Sequence, residues 1–140
     1  MRLGPAIMRE RVGAARSARL ATVDGGGQPH LVPVVFAIDA DDLWIAVDHK
    51  PKSTRDLKRL RNIAAQPKVS VLVDHYDEDW THLWWVRLDG HARVLADGDH
   101  DRPVGLLRAK YPQYGDRPPD GPVVGIAVHT WRGWAASDGA

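Results

Sequence analysis

The chain contains no cysteine, which excludes disulfides, thiolate metal sites and cysteine nucleophiles together. No stretch approaches the roughly 18 consecutive apolar residues that a membrane-spanning helix needs, which argues against an integral membrane protein. Met1 to Arg11 carry charge without an apolar core, so no secretory signal is expected there and a cytoplasmic location is the simplest expectation. Also missing are G-x-G-x-x-G, a Gly-Lys-Ser/Thr phosphate loop and G-x-S-x-G. Dinucleotide-fold, P-loop and serine-hydrolase readings therefore lack their motifs. There is no internal repeat and no low-complexity tract.

The 140 residues fit one domain spanning 1–140. An apolar fraction of 44% and a charged fraction of 26% are ordinary for a globular protein. Net charge is only +1, but it is unevenly spread. Between Lys50 and Arg61 stand Lys50, Lys52, Arg55, Lys58, Arg59 and Arg61 against the single acid Asp56. A nucleic-acid binder would be basic over a whole face; one basic patch fits a compact anionic ligand better.

Gly4 to Ser17 reads as a helix with a weak apolar stripe of Ile7, Val12 and Ala15. Arg19–Val23 is then a short strand, and Asp24 to Gly27 a turn able to supply positive φ. His30 to Ile38 reads as a second strand, where Pro33 suggests an edge, a bulge or a break facing a ligand. Asp39 to Asp42 closes a hairpin into Leu43–Val47. A helix capped by Ser53 or Thr54 follows, with Leu57, Leu60 and Ile63/Ala64 at helical spacing and Pro67 as its stop. Strands are expected at Val69–Val73, at Leu83–Leu88 and, past a kink, at Gly90–Leu95. Asp97 or Asp99 can start a helix to Lys110, and a Pro/Gly-rich loop leads to a last strand, Val123–Trp131. Six or seven strands arriving mostly as hairpins, with two or three inserted helices, predict a mainly antiparallel sheet that closes into a small barrel. So small a barrel has little lumen, so a ligand would sit outside it or between subunits.

Three features could carry chemistry. The segment Lys50–Arg61 joins a strand end, a hydroxyl-bearing turn and a helix N-terminus, where free amides and the helix dipole favour an anion. Basic side chains there add charge-assisted hydrogen bonds to a phosphate; the alternative is a solvated helix face. Trp80, Trp84 and Trp85 cluster beside His75, Tyr76 and His82. Neighbouring Trp84 and Trp85 on a strand must face opposite ways, one packing inward and the other meeting a planar ring, a second subunit or solvent. The seven histidines are scattered without a metal-binding spacing, so no metal is expected. The acidic loop Asp77 to Asp79 reads as solvated.

In order and spacing, three pieces of the chain resemble the split β-barrel flavin-binding family, which includes pyridoxamine-phosphate oxidase and the PPOX-class deazaflavin-dependent oxidoreductases. They are Leu20-Ala-Thr-Val with Gln28-Pro-His-Leu-Val-Pro-Val, the run Leu57 to Val73, and Trp84 to Val94 with Val128 to Trp134. The resemblance covers nearly the whole chain and implies a split barrel. It implies that a basic pair on the helix before Pro67, Lys58 and Arg59 by position, holds a cofactor phosphate, with contacts shifting toward Lys50, Lys52, Ser53 and Thr54 because the preceding stretch is longer here. It further implies that His30, Pro33 and Val35 edge the cofactor ring, that Leu83, Trp84 and Trp85 approach it from the next strand, and that the site lies at a homodimer interface.

The implied cofactor is coenzyme F420 or, alternatively, flavin mononucleotide (FMN). A segment of net charge +5 exceeds what one phosphate needs, so electrostatics lean toward the phosphodiester and carboxylate-bearing tail of F420. The expected reaction is hydride transfer from reduced F420 to an electron-poor small organic acceptor, in which the cofactor performs the chemistry. Tyr76, His75 and His82 are candidate proton donors beside solvent, and no catalytic residue is singled out. Alternatives on the same fold are an FMN-binding oxidase-like flavoprotein and a non-catalytic F420- or haem-binding protein in which His30, His75 or His82 ligates iron.

Overall fold

Inward-facing residues alternate with outward ones along most of the chain, and this period-two pattern builds one sheet. The computed structural model describes residues 1–47 and 57–140. Its elements are α1 (Pro5–Ala14), β1 (Ala18–Val23), β2 (Pro29–Val34), β3 (Ala37–Asp39), β4 (Asp42–Ala46), α2 (Lys58–Ala65), β5 (Lys68–His75), β6 (Trp84–Val94), α3 (Asp101–Lys110) and β7 (Val123–Ala135). All seven strands pair antiparallel, in the order β2-β1-β5-β6-β7-β4-β3. The two outermost strands, β2 and β3, are consecutive in the chain and joined only by Val35 and Phe36. The sheet therefore curls until its edges meet at that corner, giving the expected split barrel. No helix among the described residues is long and apolar enough to cross a membrane.

The concave face is packed by Leu20, Val34, Phe36, Ile45, Val71, Leu88 and Ile126, several of them wholly shielded from water. Each such side chain contributes about 1.5–3 kcal/mol on burial. Met8 and Val12 of α1 close one end of this core. Gly133 lets α1 approach, since a Cβ there would stand 2.8 Å from the Met8 sulfur. A second cluster lies outside the barrel, where Leu107, Tyr111 and Tyr114 cover Ala37, Trp44, Ala46 and Val123. Tyr111 seals the seam: its hydroxyl accepts the Phe36 amide proton at 3.1 Å and lies 3.0 Å from the carbonyls of both Phe36 and Arg16.

Several boundaries differ from the sequence reading. His30–Ile38 is two strands, not one, because the corner at Val35–Phe36 carries the chain from one edge of the sheet to the other. Pro33 lies on edge strand β2, where a missing amide proton is tolerated. The kink expected before Gly90 does not divide the strand: β6 runs unbroken from Trp84 to Val94, with a register shift between Asp89 and Gly90. The irregularity falls on its neighbour: Asp89 pairs with Thr130 but Gly90 with Val128, so His129 is the extra residue of a bulge in β7. Gly90 is obligatory opposite it, because a Cβ would sit 2.2 Å from the Ala127 carbonyl oxygen. The turn after β1 takes its positive φ at Gly27, and the Asp24 carboxylate accepts the amides of Gly26 and Gln28 at 2.9 Å. α1 is shorter than expected, α3 starts at Asp101, and β7 runs on to Ala135.

Candidate functional site

The described part of α2 begins at Lys58, with Leu57 in the cap position and no capping side chain; Ser53 and Thr54, expected as caps, lie outside the described residues. Ile63 is buried and Leu60 packs on the core as expected, while Ala64 is exposed. The sequence reading overlooked Asn62, which is buried and donates its amide to the Thr22 hydroxyl at 3.0 Å. That bond fixes α2 against β1. Consecutive helical residues diverge by about 100°, so anchoring α2 this way separates Lys58 from Arg59. Arg59 lines a cleft of about 180 Å³ together with Ser17, Pro33, Val34, Val35, Ile45 and Ala46. Lys58 turns instead to the β1–β2 turn, its Nζ 3.5 Å from an Asp24 carboxylate oxygen. The amides of Gln28 and Gly26, together with Lys58, hold the Asp24 carboxyl below its ordinary range.

The cleft therefore combines one guanidinium and one hydroxyl with a wall of proline, valine and isoleucine. Those groups suit an anionic end joined to a flat apolar body. Of the twelve residues named from the sequence, Pro33, Val35 and Arg59 meet here; the others named for the anion are Lys58 and Lys50, Lys52, Ser53 and Thr54. The last four lie outside the described residues. Ser17, Ile45 and Ala46 were not anticipated; Ser17 is legible only as the last polar residue before β1.

Other named residues stand elsewhere. His30 is half-buried on β2 opposite Thr22, and its shielded Nδ1 makes no hydrogen bond. Leu83, Trp84 and Trp85 border a separate outer groove of about 300 Å³ with Leu72, Asp74, Tyr76 and Arg87. Trp84 packs partly against the core, with the Arg11 guanidinium 5.1 Å from its ring centre. Trp85 occupies the opposite face and pairs in register with Trp134. A single row of registered residues, Pro33, Arg19, Leu72 and Arg87, crosses from the rim of the cleft to this groove.

At the end of β5, His75 Nε2 and His82 Nδ1 lie 3.0 and 3.1 Å from the same Asp77 oxygen. The bond to Asp77, reinforced by the charges of Asp79 and Asp77, raises the His82 pKa above that of an ordinary imidazole. Tyr76 beside them is 64% exposed. The arrangement can store a proton near the groove, and it places no acid in the cleft itself.

Comparison with known proteins bears on this geometry. The chain is 33% identical to a 5a,11a-dehydrotetracycline/5a,11a-dehydrooxytetracycline reductase of Streptomyces rimosus, over 60% of this chain and 58% of that protein. It is 36% identical to Pup–protein ligases of Bifidobacterium animalis over 60% of this chain, a span that is only 16% of those longer proteins. An FAD-binding protein from Mesorhizobium loti superposes with a TM-score of 0.73 at 21% identity, covering 95% of both chains. The sequence pattern of the family described as Pyridoxamine 5'-phosphate oxidase matches residues 5–135.

Proposed function

The chain belongs to the pyridoxamine 5'-phosphate oxidase family, and from that premise we propose that it is a cytoplasmic F420-dependent reductase of an electron-poor small organic acceptor. The observation that carries this reading is the cleft in which Arg59 and Ser17 face the apolar wall of Pro33, Val34, Val35, Ile45 and Ala46. It fits a phosphorylated planar cofactor. The six basic residues between Lys50 and Arg61 supply more charge than a single phosphate requires, which favours F420 over FMN. Similarity to a 5a,11a-dehydrotetracycline/5a,11a-dehydrooxytetracycline reductase supports reduction as the direction of the chemistry. When bound, reduced F420 supplies the hydride.

The protein's part is binding and shielding. Arg59 and Ser17 hold the anionic end, while Pro33, Val35 and Ile45 exclude water from the flat end. Solvent or the His82 imidazole supplies the proton that must follow the hydride. A second copy of the chain completes the site by covering the outer groove, around which Tyr76 (64%), Trp80 (71%) and Trp134 (41%) are exposed.

Absorbance titration of the purified protein with F420, FMN and haemin tests the reading. Saturable F420 binding, with reduced F420 consumed on adding quinones or enones, is expected. Binding of FMN or haemin without affinity for F420 overturns it, and F420 binding without turnover on any electron-poor acceptor reduces the protein to a passive carrier.

A further inference from the structure

The bulge in β7 has a chemical result that the proposed cofactor site does not use. It displaces His129 toward the outer face, where it meets His91 of β6. The Nδ1 atom of His91 and the Nε2 atom of His129 stand 2.5 Å apart, with ring centroids at 4.6 Å and ring planes inclined by 63°. Both side chains are exposed, and they border a groove of about 390 Å³ formed by β1, β5, β6 and β7. As the rings stand, one donates its N–H to the other's lone pair. The same two nitrogens, moved slightly apart, present converging lone pairs to a metal ion.

We propose that His91 and His129 form a surface site for a borderline divalent transition-metal ion such as Cu²⁺, Ni²⁺ or Zn²⁺. Imidazole is the preferred ligand of these ions. Metal–nitrogen bonds of about 2.0–2.1 Å in tetrahedral geometry would set the two nitrogens roughly 3.3 Å apart. Exposed rings reach that separation by small side-chain rotations. Among the described residues no third histidine, cysteine or carboxylate completes a metal-binding group. Water therefore fills the other positions and the site stays open to an exogenous ligand. Hard cations are excluded by the same inventory, since Mg²⁺ and Ca²⁺ require a set of oxygen donors. Among the described residues lining the groove the one carboxylate, Asp89, is occupied by the Ser70 hydroxyl at 2.6 Å and by Arg87 at 3.2 Å. Lys68 pairs in register with His91; its positive charge weakens the site and sets it below a four-ligand structural centre. Gly90 is part of the device, because it alone permits the register shift that brings His129 out.

The test uses untagged, chelator-treated protein titrated calorimetrically with Cu²⁺, Ni²⁺, Zn²⁺ and Mg²⁺. One ion per chain is expected, tightest for Cu²⁺ and absent for Mg²⁺. Bound Cu²⁺ should show the electron-paramagnetic-resonance coupling pattern of two imidazole nitrogens. His91→Ala and His129→Ala should each weaken binding about tenfold or more, and the double variant should abolish it. The His75→Ala/His82→Ala variant should bind as the parent does. Failure of the parent to bind Cu²⁺ at millimolar concentration overturns the proposal. So does binding that survives in the double variant or is lost in the His75/His82 variant.

Discussion

The outer surface of the sheet is treated in two ways. Over β3, β4 and the start of β7, α3 and the residues after it lay Leu107, Tyr111 and Tyr114 on Trp44, Ala46 and Val123. Over β2, β1, β5 and β6 no helix lies outside among the described residues, and Leu31, Leu72, Arg19 and Arg87 remain exposed in the same alternating pattern. Identical strand periodicity thus serves a sandwiched layer in one half and an open face in the other. The difference resides in what the chain supplies next: an amphipathic helix follows β6, whereas only short connections join β1 to β2 and β5 to β6. The covered half stores stability. The bare half, with the cleft at its rim and the aromatic groove along it, is the surface on which the proposed cofactor site and second copy would act.

The largest effect expected from this contrast lies in the covered half. Leu107→Ala, at a position with no exposed surface, should lower unfolding free energy by about 2–5 kcal/mol in a denaturant titration. An effect under about 1 kcal/mol would mean that α3 is a loosely held lid. At the rim of the bare half, Arg59→Ala should weaken F420 binding by about 1.5–3 kcal/mol, the cost of one charged hydrogen bond. Lys58→Ala removes only its pairing with Asp24, worth about 0–1 kcal/mol of stability, and should disturb cofactor affinity less. Equal losses of affinity would contradict the divergence of the two side chains. On the open face, Leu72→Asp should leave the protomer folded by circular dichroism and shift its mass in sedimentation from a dimer to the 15.5 kDa chain.

A subtler effect sits at the edge of the cover. Burial, helped by the nearby Arg16 charge, pushes the Lys110 ammonium down to about 8, while its Nζ donates to the Phe36 carbonyl at 3.0 Å. Between that value and the ordinary lysine value of about 10.4, the unfolded chain binds more protons than the folded one. Stability should therefore rise with pH across that window, and the penalty is fully present below it. Tyr111, raised by burial, opposes this trend from about pH 10 upward. The rise is best read as the urea midpoint between about pH 7.5 and 9.5, and Lys110→Met should flatten it.

Much of the sheet was legible from the sequence because alternation and turn chemistry are local. The glycine turn after β1, the stop at Pro67 and the opposed faces of Trp84 and Trp85 needed only neighbouring residues. The corner at Val35–Phe36 could not be read, because the Tyr111 hydroxyl that satisfies the Phe36 backbone there comes from 75 positions away. The bulge in β7 could not be read for a similar reason: register is a property of two strands, and a single strand shows only that Gly90 is unusual. At the candidate site, Pro33, Val35 and Arg59 follow from the family resemblance, and the structure brings these three to one cleft. The parting of Lys58 from Arg59 depended on the Asn62–Thr22 bond, which joins residues 40 positions apart. A polar residue on the buried side of an otherwise apolar helical stripe was the available signal.

The edge strand β2 carries a further consequence. In its ladder with β1, Pro29, Leu31 and Pro33 occupy one set of alternating positions and His30, Val32 and Val34 the other. Proline has no amide proton to give to β1, so its set is the one whose amides turn away from the partner strand. Two of those three outward positions are proline, so along β2 only Leu31 offers a newcomer an amide, and the alternating donor–acceptor ladder that an added strand needs is broken there. The protein is thereby guarded against growing into continuous sheets or fibrils, and contact with other chains is steered to its faces.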